Sequence, residues 1–229
     1  MDLNIKNRWV VNIAGLEVWI TETIVNTWII MLALILAAVI IRVKIRRFKT
    51  EPSGFQNAVE AIVETFDRFV RGTAGDKLMV LGHWFFTVFV FILVSSLSGI
   101  LGLKPPTADW ATGFALAMAT FLLIQVMGVY HRRGKYLKSF FKPSVIFFPL
   151  NLIGELARPI SLSFRLFGNV LAGMIIMSLI YNLLPVYLRF ILPAALHAYF
   201  DLFSGVLQTY IFCVLSLTFI STASADDAL

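Results

Sequence analysis

The stretch PISLSFRLFGNVLAGMIIMSLIYN, residues 159–182, decides how the chain is read, because its one charge, Arg165, sits among residues that otherwise belong in lipid. An arginine at the centre of a spanning helix costs about 2.5–3.5 kcal/mol on insertion scales, so such a group usually faces a partner or a watery path. Between Arg158 and Arg189 the sole charge is Arg165, and between Arg189 and Asp226 it is Asp201. Two lone opposite charges in adjacent apolar segments invite a common explanation.

The surroundings of this stretch are equally apolar. Of 229 residues 59% are hydrophobic and 14% charged. Such a chain could not cover its apolar surface with polar groups in water, which implies a polytopic membrane protein. The expected fold class is all-α, with five membrane segments and one surface amphipathic helix in a single membrane domain, residues 1–229. The net charge of +6 sits largely in two short clusters, Arg42–Lys49 and Arg132–Lys142, between apolar spans. They read as topology signals and no nucleic acid is expected as a partner. Cys213 is the only cysteine, so a disulfide framework and a thiol metal site are excluded and a small buried filler is expected.

The first span is placed at 23–41, uncharged and just long enough to cross about 30 Å of hydrocarbon. Residues 52–71 start at Pro52 and Ser53 and set Phe55, Val59, Ile62, Val63, Phe66 and Val70 on one side of a helix that lies on the membrane. Spans at 78–103 and 110–130 follow, separated by LKPPTADW, where paired prolines stop the helix. Ser95, Ser96, Ser98 and Gly99 suit close packing against another helix. The last two segments, 144–184 and 186–222, correspond to about 60 and 55 Å of helix, about twice the membrane core. They read as a steeply tilted hairpin, with Pro149 and Pro159 as candidate bends. The positive-inside rule puts both basic clusters in the cytoplasm, the N-terminus outside and the C-terminal ASADDAL inside. The first twenty residues lack the pattern of a removable signal peptide.

Ser161, Arg165 and Asn169 recur every four residues and share a helix face, with Gly168 and Ala172 beside them leaving room for a neighbour. On the last segment His197, Asp201, Gly205 and Gln208 are spaced by four, four and three. Antiparallel packing levels Gln208 with Arg165, places Asp201 and His197 toward the outer side, and places Glu155 and Asn151 toward the cytoplasm. This is the pattern of two aqueous half-paths on either side of a fixed positive charge. The residues also allow plainer arrangements: Arg165 bonded to backbone carbonyls, an Arg165–Asp201 salt bridge, Asn169 and Gln208 as interhelical glue, a Glu155–Arg158 pair. No nucleotide-binding or hydrolase motif is present, so no enzyme activity is expected of the chain alone.

The string PISLSFRLFGNVLAGMII, followed by AYFDLFSGVLQTYIF and preceded by PPTAD and PLNLIGELAR, closely resembles subunit a of bacterial F-type rotary ATP synthases, from about Trp19 onward. The resemblance implies that Arg165 is the stator arginine facing the carboxylates of a c-subunit ring, with Asn169 and Gln208 around it. It further implies Asp201 in an outer half-channel and Ser161 in an inner one, to which the spacing adds His197 and Asn169 on the outer side and Glu155 and Asn151 on the cytoplasmic side. The implied transported ion is H⁺ or Na⁺, with no bound cofactor or metal. The implied partners are the c-ring, the b-subunit peripheral stalk, the rest of the complex and the lipid of the bacterial cytoplasmic membrane. One departure is Met174, nine residues after the arginine, where many relatives carry a glutamate. The alternative reading is a secondary transporter or permease for a small anion held by Arg165; a purely structural scaffold would leave Arg165 and Asp201 without a role.

Overall fold

A computed structural model describes residues 7–13, 16–50, 54–183, 185 and 191–225. The expected helix start at Pro52–Ser53, most of the link between the last two segments and the final residues 226–229 lie outside the described residues. An antiparallel hairpin, β1 (Asn7–Ile13) with β2 (Leu16–Thr21), leads directly into α1 (Glu22–Ile45). The sequence reading assigned no strands there, although NRWVVNI and LEVWIT carry the β-branched and aromatic residues that favour extended chain. Among the described residues every later element is helical. Amphipathic α2 (Gly54–Ala74) precedes α3 (Gly82–Leu97), α4 (Trp110–Arg132) and short α5 (Gly134–Ser139). The chain then runs through α6 (Phe148–Leu183), α7 (Ile191–His197) and α8 (Gly205–Ser224). With the 3₁₀ turns that extend α3 and α6 and the π turn between α7 and α8, five helical segments among the described residues are long and apolar enough to cross a membrane, the fourth 39 residues and the fifth 33. The protein is an all-α polytopic membrane protein carrying a short N-terminal hairpin.

The core lies where α3, α4 and α8 meet, around Phe85, Ile92, Ile124, Phe212 and Leu217, all fully buried. Cys213 is buried there too, its Sγ 4.0 Å from the Phe85 carbonyl oxygen. Helix α1 touches the bundle sparingly; of its described side chains only Asn26 and Ile30 are buried, and the rest of its apolar surface is left for lipid. Asn26 donates to the Lys104 carbonyl at 3.0 Å and Thr23 to Asp109 at 3.4 Å, which ties the start of α1 to the loop before α4. Asp109 also caps α4 by accepting from the Ala111 N–H at 3.0 Å, satisfying one of the donors a helix start leaves open.

Helix α2 docks through its second half. Phe66 and Val70 are buried, Phe66 in edge-on contact with Phe86 and Phe89, whereas Phe55, Ile62 and Val63 remain exposed. Gln56 anchors the exposed half by bonding both the N–H and the C=O of Lys49, at 3.1 and 2.7 Å.

The long segments differ from expectation in two ways. Helix α6 is unbroken: Pro149 falls in its first turn, where no N–H is required, and Pro159 is accommodated inside it. The other segment is not uniformly α-helical, because Ala198–Ser204 forms a π turn. A π turn holds more residues than the α-helical 3.6, so the expected single face through His197, Asp201, Gly205 and Gln208 does not hold.

The helix contacts made by small residues are also redistributed. A Cβ on Gly205 would lie 2.7 Å from the Ser96 Cβ, and one on Gly99 would lie 2.9 Å from the Asp201 carboxyl. A Cβ on Gly173 would meet Phe200 at 3.3 Å, whereas Gly168 has nothing within 4 Å. The room expected beside Gly168 and Ala172 is therefore open surface. Helix α6 turns its Asn169 and Gly173 side to the π turn, and Gly168 lies about 100° round the helix from Asn169. Replacing Gly205 by valine is expected to destabilise the protein by about 3 kcal/mol, the upper end for overpacking, seen as a lowered melting temperature in detergent.

Candidate functional site

Three cavities follow one another along α6. The smallest, about 10 Å³, is lined by Ser96, Asn169, Phe200, Asp201 and Gly205 among others. That volume is near the lower limit for a single water. The second, about 210 Å³, is lined by Arg158, Ser161, Arg165, Leu215 and Phe219. The third, about 320 Å³, lies nearest the basic clusters and is lined by Tyr136, Asn151, Glu155 and Arg158.

Asp201 belongs to the first. Its Oδ2 is 2.6 Å from His197 Nδ1, and the absence of a side chain on Gly99 lets the carboxyl seat against the 3₁₀ turn Ser98–Leu101 that extends α3. The two side chains are four positions apart, within the reach of helical neighbours. Across from it Ser204 Oγ donates to Asn169 Oδ1 at 2.7 Å. Asn169 with Ser204 and Gly173 with Phe200 set an antiparallel register between the two segments. Continued by one helical turn, this register levels Gln208 with Arg165. Gln208 is buried, and its Nε2 has no hydrogen-bond partner among the described residues.

Arg165 makes no ion pair or hydrogen bond among the described residues; Asp201 is paired with His197 instead. It shares its cavity with Ser161, one turn away on the same face, while Asn169, the third member of that face, opens into the cavity of Asp201.

Toward the basic end Glu155 and Arg158 form the ion pair their spacing allows, with Arg158 Nη1 2.8 and 2.9 Å from the two carboxylate oxygens. The Arg158 guanidinium lies 4.8 Å from the centre of the Phe219 ring, a cation–π contact. Asn151 lines the same cavity, but its amide nitrogen is committed to the Phe140 and Lys142 carbonyls at 2.8 and 3.0 Å. Among the described residues no cluster of three or more metal-ligating side chains occurs.

A family model described as ATP synthase A chain matches residues 24–221. The chain belongs to this family. It is 36% identical to ATP synthase subunit a of Moorella thermoacetica over 88% of its own length and 90% of the relative's. It is 37% identical to ATP synthase subunit a 2 of a Bradyrhizobium species, covering 91% of each. A third relative, 34% identical over 90% of this chain and 75% of its own length, is the sodium ion specific subunit a of Propionigenium modestum. As a member of the ATP synthase A chain family, the protein is an integral membrane component of a rotary ATP synthase complex that serves ATP synthesis through ion transport.

Within this family member, some of the polar groups that organise the cavities escaped the sequence reading. Gln125, the single amide in α4, donates to Glu155 at 3.3 Å and accepts from the Tyr136 hydroxyl at 2.9 Å. Burial, and next the Glu155 carboxylate, raise the Tyr136 hydroxyl above its ordinary value of 10.0, which keeps it a donor. A lone amide in an apolar span is a signal that could have singled out Gln125; nothing local distinguishes Tyr136 or Ser204. Met174 lines a fourth cavity, about 340 Å³, with Glu22, Lys104 and Asp109, where Lys104 and Glu22 are 3.8 Å apart.

Proposed function

We propose that this chain is the ion-conducting stator of the complex, offering two offset half-channels to the carboxylates of a c-subunit ring. The observation that supports this most is the isolation of Arg165: a permanently charged guanidinium without a partner among the described residues, between a cavity holding Asn169 and Asp201 and one holding Glu155 and Asn151. An unpaired charge within a membrane span is costly unless a partner or water meets it. The exposed apolar strip around Gly168, with Phe164 and Leu179 on α6 and Leu207 and Ile211 on α8, is a surface on which a ring of helices fits.

In this reading an ion enters from the outer side past Asp201, His197 and Asn169 and neutralises a ring carboxylate. The neutral site can turn into lipid, where an ionised one could not. After nearly a full turn the site reaches the inner path at Ser161, Glu155 and Asn151 and releases its ion, while Arg165 attracts the ionised carboxylate and bars direct passage. Each elementary charge contributes about 2.3 kcal/mol per 100 mV. Arg165 suits this task because a guanidinium keeps its charge at any working pH. In this reading, supported by the positive-inside rule, the inner path opens to the cytoplasm, with the N-terminus outside and the C-terminus inside, in a bacterial cytoplasmic membrane. The b-subunit stalk is the further partner, and the ion is H⁺ or Na⁺.

Cysteines introduced separately at Ser161 and Asn169, in a Cys213→Ala background, test the offset paths in membranes holding the whole complex. A membrane-impermeant thiol reagent is expected to label position 161 from the cytoplasmic side and position 169 from the outside. Labelling of both positions from one side would overturn the reading.

A further inference from the structure

We infer that Arg158 is a second fixed positive charge on the inner path, and that Glu155, held in place by Gln125 and Tyr136, neutralises it so that cations can pass. This rests on the half-channel reading and adds residues to it. The cavity of Arg165 and the larger cavity at the basic end share two residues, Gly154 and Arg158. A cation moving from Ser161 to the basic end therefore passes the Arg158 guanidinium. With two arginines in series and nothing to balance the second, that passage would repel cations.

The structure balances it. One Arg158 nitrogen bridges both Glu155 oxygens at 2.8 and 2.9 Å, and the guanidinium face rests on Phe219, a wall of the Arg165 cavity. The carboxylate is in turn held from a different helix: Gln125 donates to its Oε2 at 3.3 Å, and the Tyr136 hydroxyl fixes the Gln125 amide from the other side at 2.9 Å. Tyr136 is itself locked, since its ring fills the space where a Cβ on Gly128 would stand, 2.7 Å away. The chain Tyr136–Gln125–Glu155–Arg158–Phe219 thus runs through α5, α4, α6 and α8. It joins every helix that bounds the two cavities, which is more than an isolated surface ion pair requires.

Glu155 is in this view a counter-charge rather than an ion carrier, and the two roles separate experimentally. In liposomes holding the whole complex, Glu155→Gln is expected to lower ATP-driven ion pumping about tenfold, a coupling of the size contacting charged partners show. Adding Arg158→Gln should bring pumping back to within about threefold of wild type, because the charge needing compensation has gone. Gln125→Leu leaves both charges and only releases the carboxylate. It should lower pumping about threefold and be rescued by the same Arg158→Gln change, which carries the test if Glu155→Gln fails to assemble.

If Glu155 carries the ion, the double variant stays as low as Glu155→Gln, and the inference is overturned; unchanged pumping in Glu155→Gln or Gln125→Leu overturns it as well. ATP hydrolysis by each purified complex reports that it is intact. Failure of the wider reading would appear elsewhere, as pumping that survives Arg165→Ala. Failure of this inference leaves the Arg165→Ala result as expected and shows only a missing rescue.

Discussion

Replacing Arg165 by alanine is expected to abolish ATP-driven ion pumping by the reconstituted complex while leaving the subunit folded and assembled. The side chain lines a cavity of about 210 Å³ and forms no hydrogen bond or ion pair among the described residues, so its removal deletes few contacts within the chain. What it would remove is an attraction for an ionised carboxylate in the membrane. At about 4 Å and an effective dielectric of about 20, that attraction is about 4 kcal/mol, or about a thousandfold in rate. The variant should also leak ions passively, because no fixed charge then separates the two paths. Pumping measured with and without added Na⁺ would identify the coupling ion in wild type. Retained pumping in the variant would return Arg165 to a structural role and favour the permease reading.

The second large effect is expected at Asp201. Its carboxylate pairs with His197 at 2.6 Å and lines the same small cavity as Asn169. Asp201→Asn keeps the shape and the contact with Gly99 but removes the charge that would draw a cation inward. Pumping should fall about a hundredfold, the low end of what a positioned proton-transfer group contributes. His197→Gln should fall less, because His197 reaches the path through Asp201. Equal losses in the two variants, or none in Asp201→Asn, would remove Asp201 from the outer path.

Much of the architecture was legible because lipid imposes length. Uncharged stretches of about twenty residues have few alternatives when every backbone group must be satisfied internally. The amphipathic pattern of α2 and the excess length of the last two segments were equally visible. The N-terminal strands were not, since seven- and six-residue runs of mixed polarity carry a weaker signal than a span. The π turn was missed for another reason: periodicity arguments assume 3.6 residues per turn, and the extra residues in Ala198–Ser204 shift every face beyond them.

Sequence alone determined that Arg165 and Asp201 are the two isolated charges of the final segments, because charges in apolar runs are rare enough to stand out. It also carried the expectation that Gln208 is level with Arg165, with which the Asn169–Ser204 bond agrees. Which group each charge meets was decided only by the tertiary structure. Asp201 turns to His197, with Gly99 making room for its carboxyl, and Glu155 is held by Gln125 from a helix thirty residues earlier in the chain. Such pairings depend on where packed helices place side chains to within an ångström, and hydropathy and spacing carry no information at that scale.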